Sequence, residues 1–169
     1  YPSTTTASIF KADVDRTKVI APTAKTGLTY TGLAQVLVVD GSSPDGIVEY
    51  SLDGKIYSAS LPTGTDAGDY EVWYRVKGDS NHNDTAGTKL GTVTIAPQEV
   101  TSPIIEFTPS NIEFDGKMHK PAVAVKDNEG RVIPATEYET TYVTVTDWIA
   151  VGDHTVTITD KEGGNYTFN

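Results

Sequence analysis

The chain contains no cysteine. Without thiols it can form neither a disulfide nor a thiolate nucleophile, and a zinc site with cysteine ligands is excluded. The absence of cysteine does not assign a compartment, because cysteine-free chains occur both inside cells and among exported proteins.

Long hydrophobic runs are also absent, since no stretch approaches the roughly 20 apolar residues that a membrane span needs. We therefore expect no membrane insertion by this segment. The opening Tyr1–Thr6 is polar and lacks the basic start and apolar centre of a secretion signal. We expect residues 1–7 to be a linker, and the chain to be an excised or incompletely covered piece of a longer protein.

Basic side chains are scarce, at 13 against 23 acidic ones, which gives a net charge of −10. Both halves are acidic, with eight basic and eleven acidic residues in 1–96 and five and twelve in 97–169. Such a surface repels phosphate backbones, so a nucleic-acid partner is not expected. Solubility alone explains the charge.

What the sequence does contain is a repeat at an offset of 84 residues, carried by three anchors in one register. A shared offset predicts two copies of one module, at residues 8–96 and 97–169. The second copy has no counterpart of Lys89–Ile95, so we expect it to lack its last strand. The anchors are Thr29–Gly32 with Glu113–Gly116, Ala67–Val72 with Val151–Val156, and Gly78–His82 with Glu162–Tyr166.

Alternation with period two dominates the ordered stretches and predicts strands. In Tyr70–Lys77, one predicted face carries Tyr70, Val72, Tyr74 and Val76, and the opposite face carries Glu71, Trp73, Arg75 and Lys77. The first face is predicted to be core, as are Val156 and Ile158 in the second copy. Further strands are predicted at Gln35–Val39, Ile47–Leu52, Thr92–Ile95, Ala122–Val125, Val132–Ile133 and Tyr138–Val143.

Glycine and asparagine turns separate these strands. Asp53-Gly54 predicts a two-residue hairpin, and Asp127–Gly130 predicts a turn of the same kind in the second copy. Short strands with turns between them favour an all-β fold built as antiparallel sandwiches. The alternative is a β-grasp module, which would require a helix packed across the sheet.

Asp66–Val72 resembles the turn into a late strand of immunoglobulin-type sandwiches, Asp-x-Gly/Ala-x-Tyr-x-Cys. In that pattern the tyrosine hydroxyl bonds back to the turn, and Val72 stands here in the cysteine position. The second copy has Ala150 and His154 in place of the aspartate and tyrosine, which leaves its corner hydrogen bond open.

Several motifs together are similar to tandem immunoglobulin-like repeats of bacterial cell-surface and adhesin-type proteins. The resemblance implies two tandem immunoglobulin-like antiparallel β-sandwiches, exported and displayed outside the cell, and it supplies no catalytic residues. Its motifs in the first copy are Tyr30–Gly32, Tyr50–Gly54, Asp66–Tyr70, Gly78–His82 and Val93–Ile95; those in the second are Phe114–Gly116, Lys120–Val125, Ile133–Tyr138 and Gly164–Thr167.

Trp73 is the candidate binding residue, with Glu71 and Arg75 beside it on the outward face of its strand. An exposed indole among polar groups suits sugar stacking or protein contact. The structural alternative, which the sequence favours, is that Trp73 covers a neighbouring strand, stacks with Arg75 or is buried by an adjacent domain. Trp148 is predicted to be a core residue.

Asp79, Asn81 and Asn83 have the spacing of oxygen ligands that opens a calcium loop. The match then fails, because Asp84 stands where glycine is needed and Leu90 where a closing glutamate is needed. A polar turn is favoured over a metal site. His82, His119 and His154 are dispersed, and no nucleophile elbow or phosphate loop is found, so we expect neither catalysis nor a cofactor.

The sequence thus predicts a non-catalytic extracellular module that acts as a spacer or adhesion domain of a larger bacterial surface protein. Its expected partners are neighbouring domains of the same chain and a host or cell-surface glycan or protein. One alternative is a carbohydrate- or protein-binding module centred on Trp73. Another is an accessory domain of a secreted glycan-degrading enzyme.

Overall fold

Strands make up nearly all of the regular structure. The computed structural model describes residues 3–143 and 148–169. Within these residues the helical segment is one 3-10 turn of three residues, Ala135–Glu137. The all-β prediction is confirmed, and the strands are consistent with sandwich packing. The β-grasp alternative is wrong for the described part of the chain, because no helix there is long enough to cross a sheet.

The chain divides into two compact units, Tyr1–Leu28 with Gly32–Ile95 and Thr29–Thr31 with Ala96–Asn169. Residues 3–11 carry no strand and are exposed. The strands up to residue 96 are β1 (Ala12–Asp13), β2 (Thr23–Ala24), β3 (Leu28–Thr29), β4 (Gln35–Val36), β5 (Val38–Val39), β6 (Gly46–Ser51), β7 (Thr63–Gly64), β8 (Gly68–Gly78), β9 (His82–Asn83) and β10 (Thr88–Ala96).

The long strand β8 organises the first unit. It lies between β10 and β6 in a four-stranded sheet of order β3-β10-β8-β6, and it pairs with both neighbours in antiparallel fashion. Val72 and Val76 are fully buried, while Glu71 and Lys77 are exposed, as the alternation predicts. Each buried valine contributes about 1.5–3 kcal/mol of apolar burial.

The predicted strand Gln35–Val39 is divided at Leu37. β4 pairs with β7, whereas β5 pairs with β2. Leu37 is completely buried, its N–H donates to the Pro62 carbonyl, and its carbonyl accepts from the Lys25 N–H, both at 2.9 Å. One continuous apolar run therefore serves two different strand partners, which period-two alternation alone does not reveal.

The described residues after Ala96 form seven strands of the second unit. They are β11 (Gln98–Val100), β12 (Ile104–Thr108), β13 (Ala122–Lys126), β14 (Val132–Ile133), β15 (Tyr138–Val143), β16 (Thr155–Asp160) and β17 (Tyr166–Phe168). β12, β13 and β14 form one antiparallel sheet, β15 pairs with β16, and β11 pairs with β17 in parallel. The core contains Val100, Val125, Ile133 and Tyr138, with Ile158 packed against it.

Residues 97–103 contain a strand that is not among those predicted from the sequence. Gln98–Val100 is a strand, and Val100 is completely buried in the core of the second unit. The prolines mark the flanks of this strand, where a missing N–H costs no ladder hydrogen bond.

The turn predictions have different outcomes. At Asp127–Gly130, β13 turns directly into β14, so a hairpin is confirmed there. The two-residue hairpin at Asp53-Gly54 is wrong, because β6 ends at Ser51 and the chain returns only at Ser58, which bridges to Tyr50. The Asp53 carboxylate accepts the N–H groups of Lys55 and Ile56 and draws these residues into a wider loop.

Several residue pairs in the first unit have counterparts in the second unit that lie 84 residues later on both strands. Ile20 pairs with Ser42 as Ile104 pairs with Lys126, and Thr23 with Val39 as Phe107 with Val123. Positive φ angles recur at the same offset, in Gly32 and Gly116 at 75° and 80°, and in Gly68 and Gly152 at 145° and 149°.

The corner hydrogen bond exists in both units, with different side chains. The Tyr70 hydroxyl donates to the Asp66 carbonyl at 2.8 Å, and His154 Nε2 donates to the Ala150 carbonyl at 2.9 Å. The His154 ring also stacks on Trp148, with 4.7 Å between centroids. Trp148 is buried, as predicted.

The buried position of Val100 gives a direct test of the second unit's boundary. Val100→Ala is expected to lower the free energy of unfolding of the second unit by about 1.5–3 kcal/mol, because the side chain is completely enclosed. Amide exchange of β13 and β16 under native conditions measures this loss. The matched control Val151→Ala, at an exposed position, is expected to change it by less than about 0.5 kcal/mol. Equal effects of the two variants would place Val100 outside the core.

Candidate functional site

The outward face of β8 carries the residues that the sequence selects for binding. Trp73 pairs with Ser51 of β6 on one side and with Lys89 of β10 on the other. Glu71 is exposed, whereas Trp73 and Arg75 are half-buried. We call Glu71, Trp73, Arg75 and Lys89, together with the Asp53-Gly54 turn, the Trp73 surface.

One part of the indole is covered by the chain itself. A Cβ atom at Gly54 would lie only 3.2 Å from Trp73 Cε2, so the turn backbone rests against the ring. Gly54 has φ 69°, a conformation that glycine adopts without strain. The loop after β6 thus leaves a half-exposed indole rather than a free one.

Two charged groups adjoin the indole. The Lys89 Nζ lies 5.3 Å from the Trp73 ring centroid and forms a salt bridge with Glu71. A cation over a tryptophan face contributes about 0.5–1 kcal/mol at an exposed site. The ion pair itself adds little, because both side chains are about half-exposed.

Arg75 contacts Tyr57 and not Trp73. Its Nε and Nη2 donate to Glu49 Oε2 at 2.9 and 2.7 Å, and its guanidinium lies 4.6 Å from the Tyr57 ring centroid. Glu49 is buried. Arg75 therefore neutralises a buried carboxylate and holds the Tyr57 side of the loop, so part of its charge is already used within the unit.

Asp53 fixes the turn that covers Trp73. Its Oδ1 accepts the N–H of Ile56 at 2.9 Å, the N–H of Lys55 at 2.8 Å and the Ser51 hydroxyl at 2.7 Å. These hydrogen bonds, the Ile56 N–H first, lower the pKa of Asp53 from 3.8 to about 2. The position of the turn therefore depends on an ionised carboxylate.

Chemically, the Trp73 surface offers an aromatic face bordered by one cation and one anion. Such a combination can stack on a sugar ring or an apolar side chain and can exchange its internal ion pair for polar groups of a ligand. The carboxylates of Glu71 and Glu49 are each paired with a cation. Both carboxylates are therefore already engaged by cations of the same unit.

The three candidate calcium ligands are engaged in a polar turn. Asp79 Oδ1 accepts the Asn81 N–H at 2.8 Å and lies 2.8 Å from His82 Nδ1. Asn83 lies in β9, and its amide donates to Asp13 Oδ1 at 3.0 Å. The N–H of Asn81, followed by His82, lowers the pKa of Asp79. Within residues 3–143 and 148–169, no three histidine or acidic side chains are grouped to hold a metal ion.

A second feature, in the other unit, was missed by motif reasoning. A cavity of about 370 Å³ opens beside Trp148. Phe114 and Val151 at its border are strongly exposed for apolar residues. We call it the Trp148 cavity; it is lined by Phe107, Ile112, Phe114, Trp148, His154 and Val156, among others. Phe114 belongs to a repeat motif and Trp148 is predicted to be a core residue, but neither pattern indicates a cavity.

Comparison with known protein families, curated proteins and solved structures gives no match. Of the helices in the described part of the chain, none has the length and apolar character to span a membrane.

The depressed pKa of Asp53 predicts a local transition in acid. The turn's stabilisation is complete above about pH 4, the ordinary range for an aspartate, and is lost as the pH falls through about 2, where the folded carboxylate takes up its proton. The indole ¹H–¹⁵N signal of Trp73, followed from pH 5 to pH 1.5, measures this transition. In Asp53→Asn the same signal is expected to lose the step. A step that persists in that variant would assign it to another carboxylate.

Proposed function

We propose that the chain comprises two immunoglobulin-like β-sandwiches of one repeat type and acts as a non-catalytic module of a larger bacterial surface protein. Its role is that of a spacer and adhesion domain outside the cell. Its partners are neighbouring domains of the same polypeptide and a glycan or protein on a cell or host surface. The observation that carries this proposal is the antiparallel pairing of β12 with β13, whose residue pairs lie 84 residues after Ile20–Ser42 and after the β2–β5 pairs at both partners.

Conserved strand register is stronger support than similar sequence. A one-residue slip would turn every side chain of a strand to the opposite face, so equal offsets on both strands mean that the same faces point inward. The parallel pair β1 and β9 also has its counterpart, since His82 pairs with Ala12 and Tyr166 pairs with Gln98. The offset is 84 for the second strand and 86 for the first, because the second copy has two residues fewer between Gln98 and Ile104 than the first has between Ala12 and Ile20.

The corner supports the immunoglobulin-like interpretation. In both units a side chain four residues after the turn donates to the turn carbonyl, from Tyr70 to Asp66 and from His154 to Ala150. This is the contact that the tyrosine corner makes at the start of a late strand in such sandwiches. Val72 fills the position of the usual cysteine and is completely buried.

A spacer role suits this construction. Antiparallel strands with cross-strand hydrogen bonds and a packed interior keep their shape without a ligand. The acidic surface, with net charge −10, opposes self-association and favours solubility outside the cell.

Localisation is tested with intact cells of the source organism. Antibodies raised against residues 3–143 are expected to label unpermeabilised cells, and brief external protease treatment is expected to remove the label. A cytosolic marker protein, measured in parallel, must stay protected. Label that is seen only after permeabilisation would reject the extracellular placement.

The second candidate function is recognition through the Trp73 surface, favoured by the half-exposed indole between Glu71 and Lys89. An accessory domain of a secreted glycan-degrading enzyme would use the same surface. In both cases the ligand would be a carbohydrate or an extended protein surface.

Binding screens on glycan and surface-protein arrays separate recognition from spacing. If the Trp73 surface binds, Trp73→Ala is expected to weaken affinity by about tenfold or more, as the loss of a central aromatic contact does. Trp73→Phe keeps a ring and is expected to retain part of the affinity, and Ile20→Ala, an exposed position away from this surface, is the matched control. Binding that Trp73→Ala does not affect, or no binding at all, would reject recognition through the Trp73 surface and leave the spacer role as the remaining function.

A further inference from the structure

We infer that the Trp148 cavity is an acceptor site for an extended β-strand with the side-chain pattern of Thr88–Ala96. This inference rests on strand pairing and not on the proposed surface role. It concerns the second unit alone.

The first unit shows what fills the corresponding place. There, β10 lies between β3 and β8, and Ile95, Val93 and Gly91 pair with Gly68, Tyr70 and Val72. Val93 and Ile95 are almost completely buried by this pairing.

In the second unit the same positions line the cavity. Gly152, His154 and Val156 lie 84 residues after Gly68, Tyr70 and Val72, and all three border the Trp148 cavity. Ile112 and Glu113, the counterparts of β3, border it as well. The cavity is therefore lined by the counterparts of both neighbours of β10.

The edge of β16 is open where that of β8 is paired. Among the described strands, β16 has one hydrogen-bonded neighbour, β15, whereas β8 has two. Val156 is half-buried, while its counterpart Val72 is completely buried. An open edge presents a row of N–H and C=O groups that a further strand can satisfy.

A strand fits this site better than a small apolar molecule of similar volume. The cavity, at about 370 Å³, is within the range of small-ligand pockets. A small molecule would fill the apolar space beside Trp148 and leave the backbone edge of β16 unpaired. A strand fills the space with alternate side chains and pairs the edge at the same time.

Charge and polar groups agree with a strand like Thr88–Ala96. That segment carries one lysine and no acidic residue, while Glu113, which lines the cavity, and Asp153, which lies between the lining residues Gly152 and His154 in sequence, are acidic. In the first unit the Thr94 hydroxyl donates to Asp69 Oδ1 at 2.5 Å, and Asp153 is the counterpart of Asp69. The buried Trp148 Nε1 has no hydrogen-bond partner in the described residues. Buried donors are normally paired, so this N–H still needs an acceptor.

The test adds a synthetic peptide with the sequence of residues 88–96 to the full chain. Saturable binding is expected to protect the amides of β16 from exchange and to change the Trp148 emission. A peptide with aspartate in place of Val93 and Ile95 is expected to bind about tenfold more weakly or worse, because two buried apolar side chains are lost. Equal binding of both peptides, or none, would overturn the inference.

Register is tested by disulfide trapping, which the absence of cysteine makes unambiguous. Thr94 pairs with Asp69, so Asp153→Cys in the chain is expected to cross-link to a peptide carrying cysteine at position 94. Directly paired antiparallel residues have Cα separations of about 4.5–5.5 Å, within the range of a disulfide. A peptide with cysteine at position 92, two residues away, is expected to react at least about tenfold more slowly, because its Cα would lie beyond disulfide reach.

Three outcomes contradict the site. Equal cross-linking of the two cysteine peptides would indicate non-specific contact. Cross-linked dimers of the chain in place of peptide adducts would indicate that a second copy covers the cavity. Displacement of bound peptide by a small apolar dye without renewed exchange in β16 would indicate a small-molecule pocket.

Discussion

Burial of alternate side chains along β8 is the constraint on which the first unit depends. Val72 and Val76 are buried on one face of β8, and both edges of the strand are paired, with β6 and β10. Because side chains alternate along the strand, this leaves Glu71, Trp73 and Arg75 on the opposite face. The positions of Trp73 and Arg75 are therefore consequences of core packing. A binding surface at this place needs no separate framework.

The corner shows how one constraint is met with different residues. The turn carbonyl accepts a hydrogen bond from the Tyr70 hydroxyl in one unit and from His154 Nε2 in the other. Gly64 and Trp148 occupy corresponding positions at the 84-residue offset, and this residue differs together with the corner residue. A Cβ on Gly64 would lie 2.6 Å from the Tyr70 ring, so glycine is required there, whereas the smaller imidazole leaves room for Trp148 to stack on it. The corner hydrogen bond is retained although neither side chain is.

Sequence patterns predicted the strands that depend on local periodicity or composition. They failed where a strand is defined by a pairing partner that is distant in the sequence. β8 and β16 follow from alternation, β6, β13 and β15 follow from composition, and burial of Trp148 follows from its apolar surroundings. The division at Leu37 and the strand at Gln98–Val100 depend on distant partners, which a local pattern does not contain. For the candidate site, the outward face of Trp73 was predictable, but its partial cover by Gly54 was not, because side-chain capping by Asp53 widened the loop.

The difference between β10 and the open edge of β16 bears on how such units are coupled. Val93 and Ile95 lie in β10, which pairs with β8, and both are enclosed. Burial of each side chain contributes about 1.5–3 kcal/mol. A unit whose equivalent edge is unpaired gains this free energy of apolar burial only when it binds a strand there. Its stability then depends on binding, since a ligand that binds only the folded state adds to the free energy of unfolding. An edge that accepts a strand therefore couples binding of that strand to resistance of the unit to unfolding.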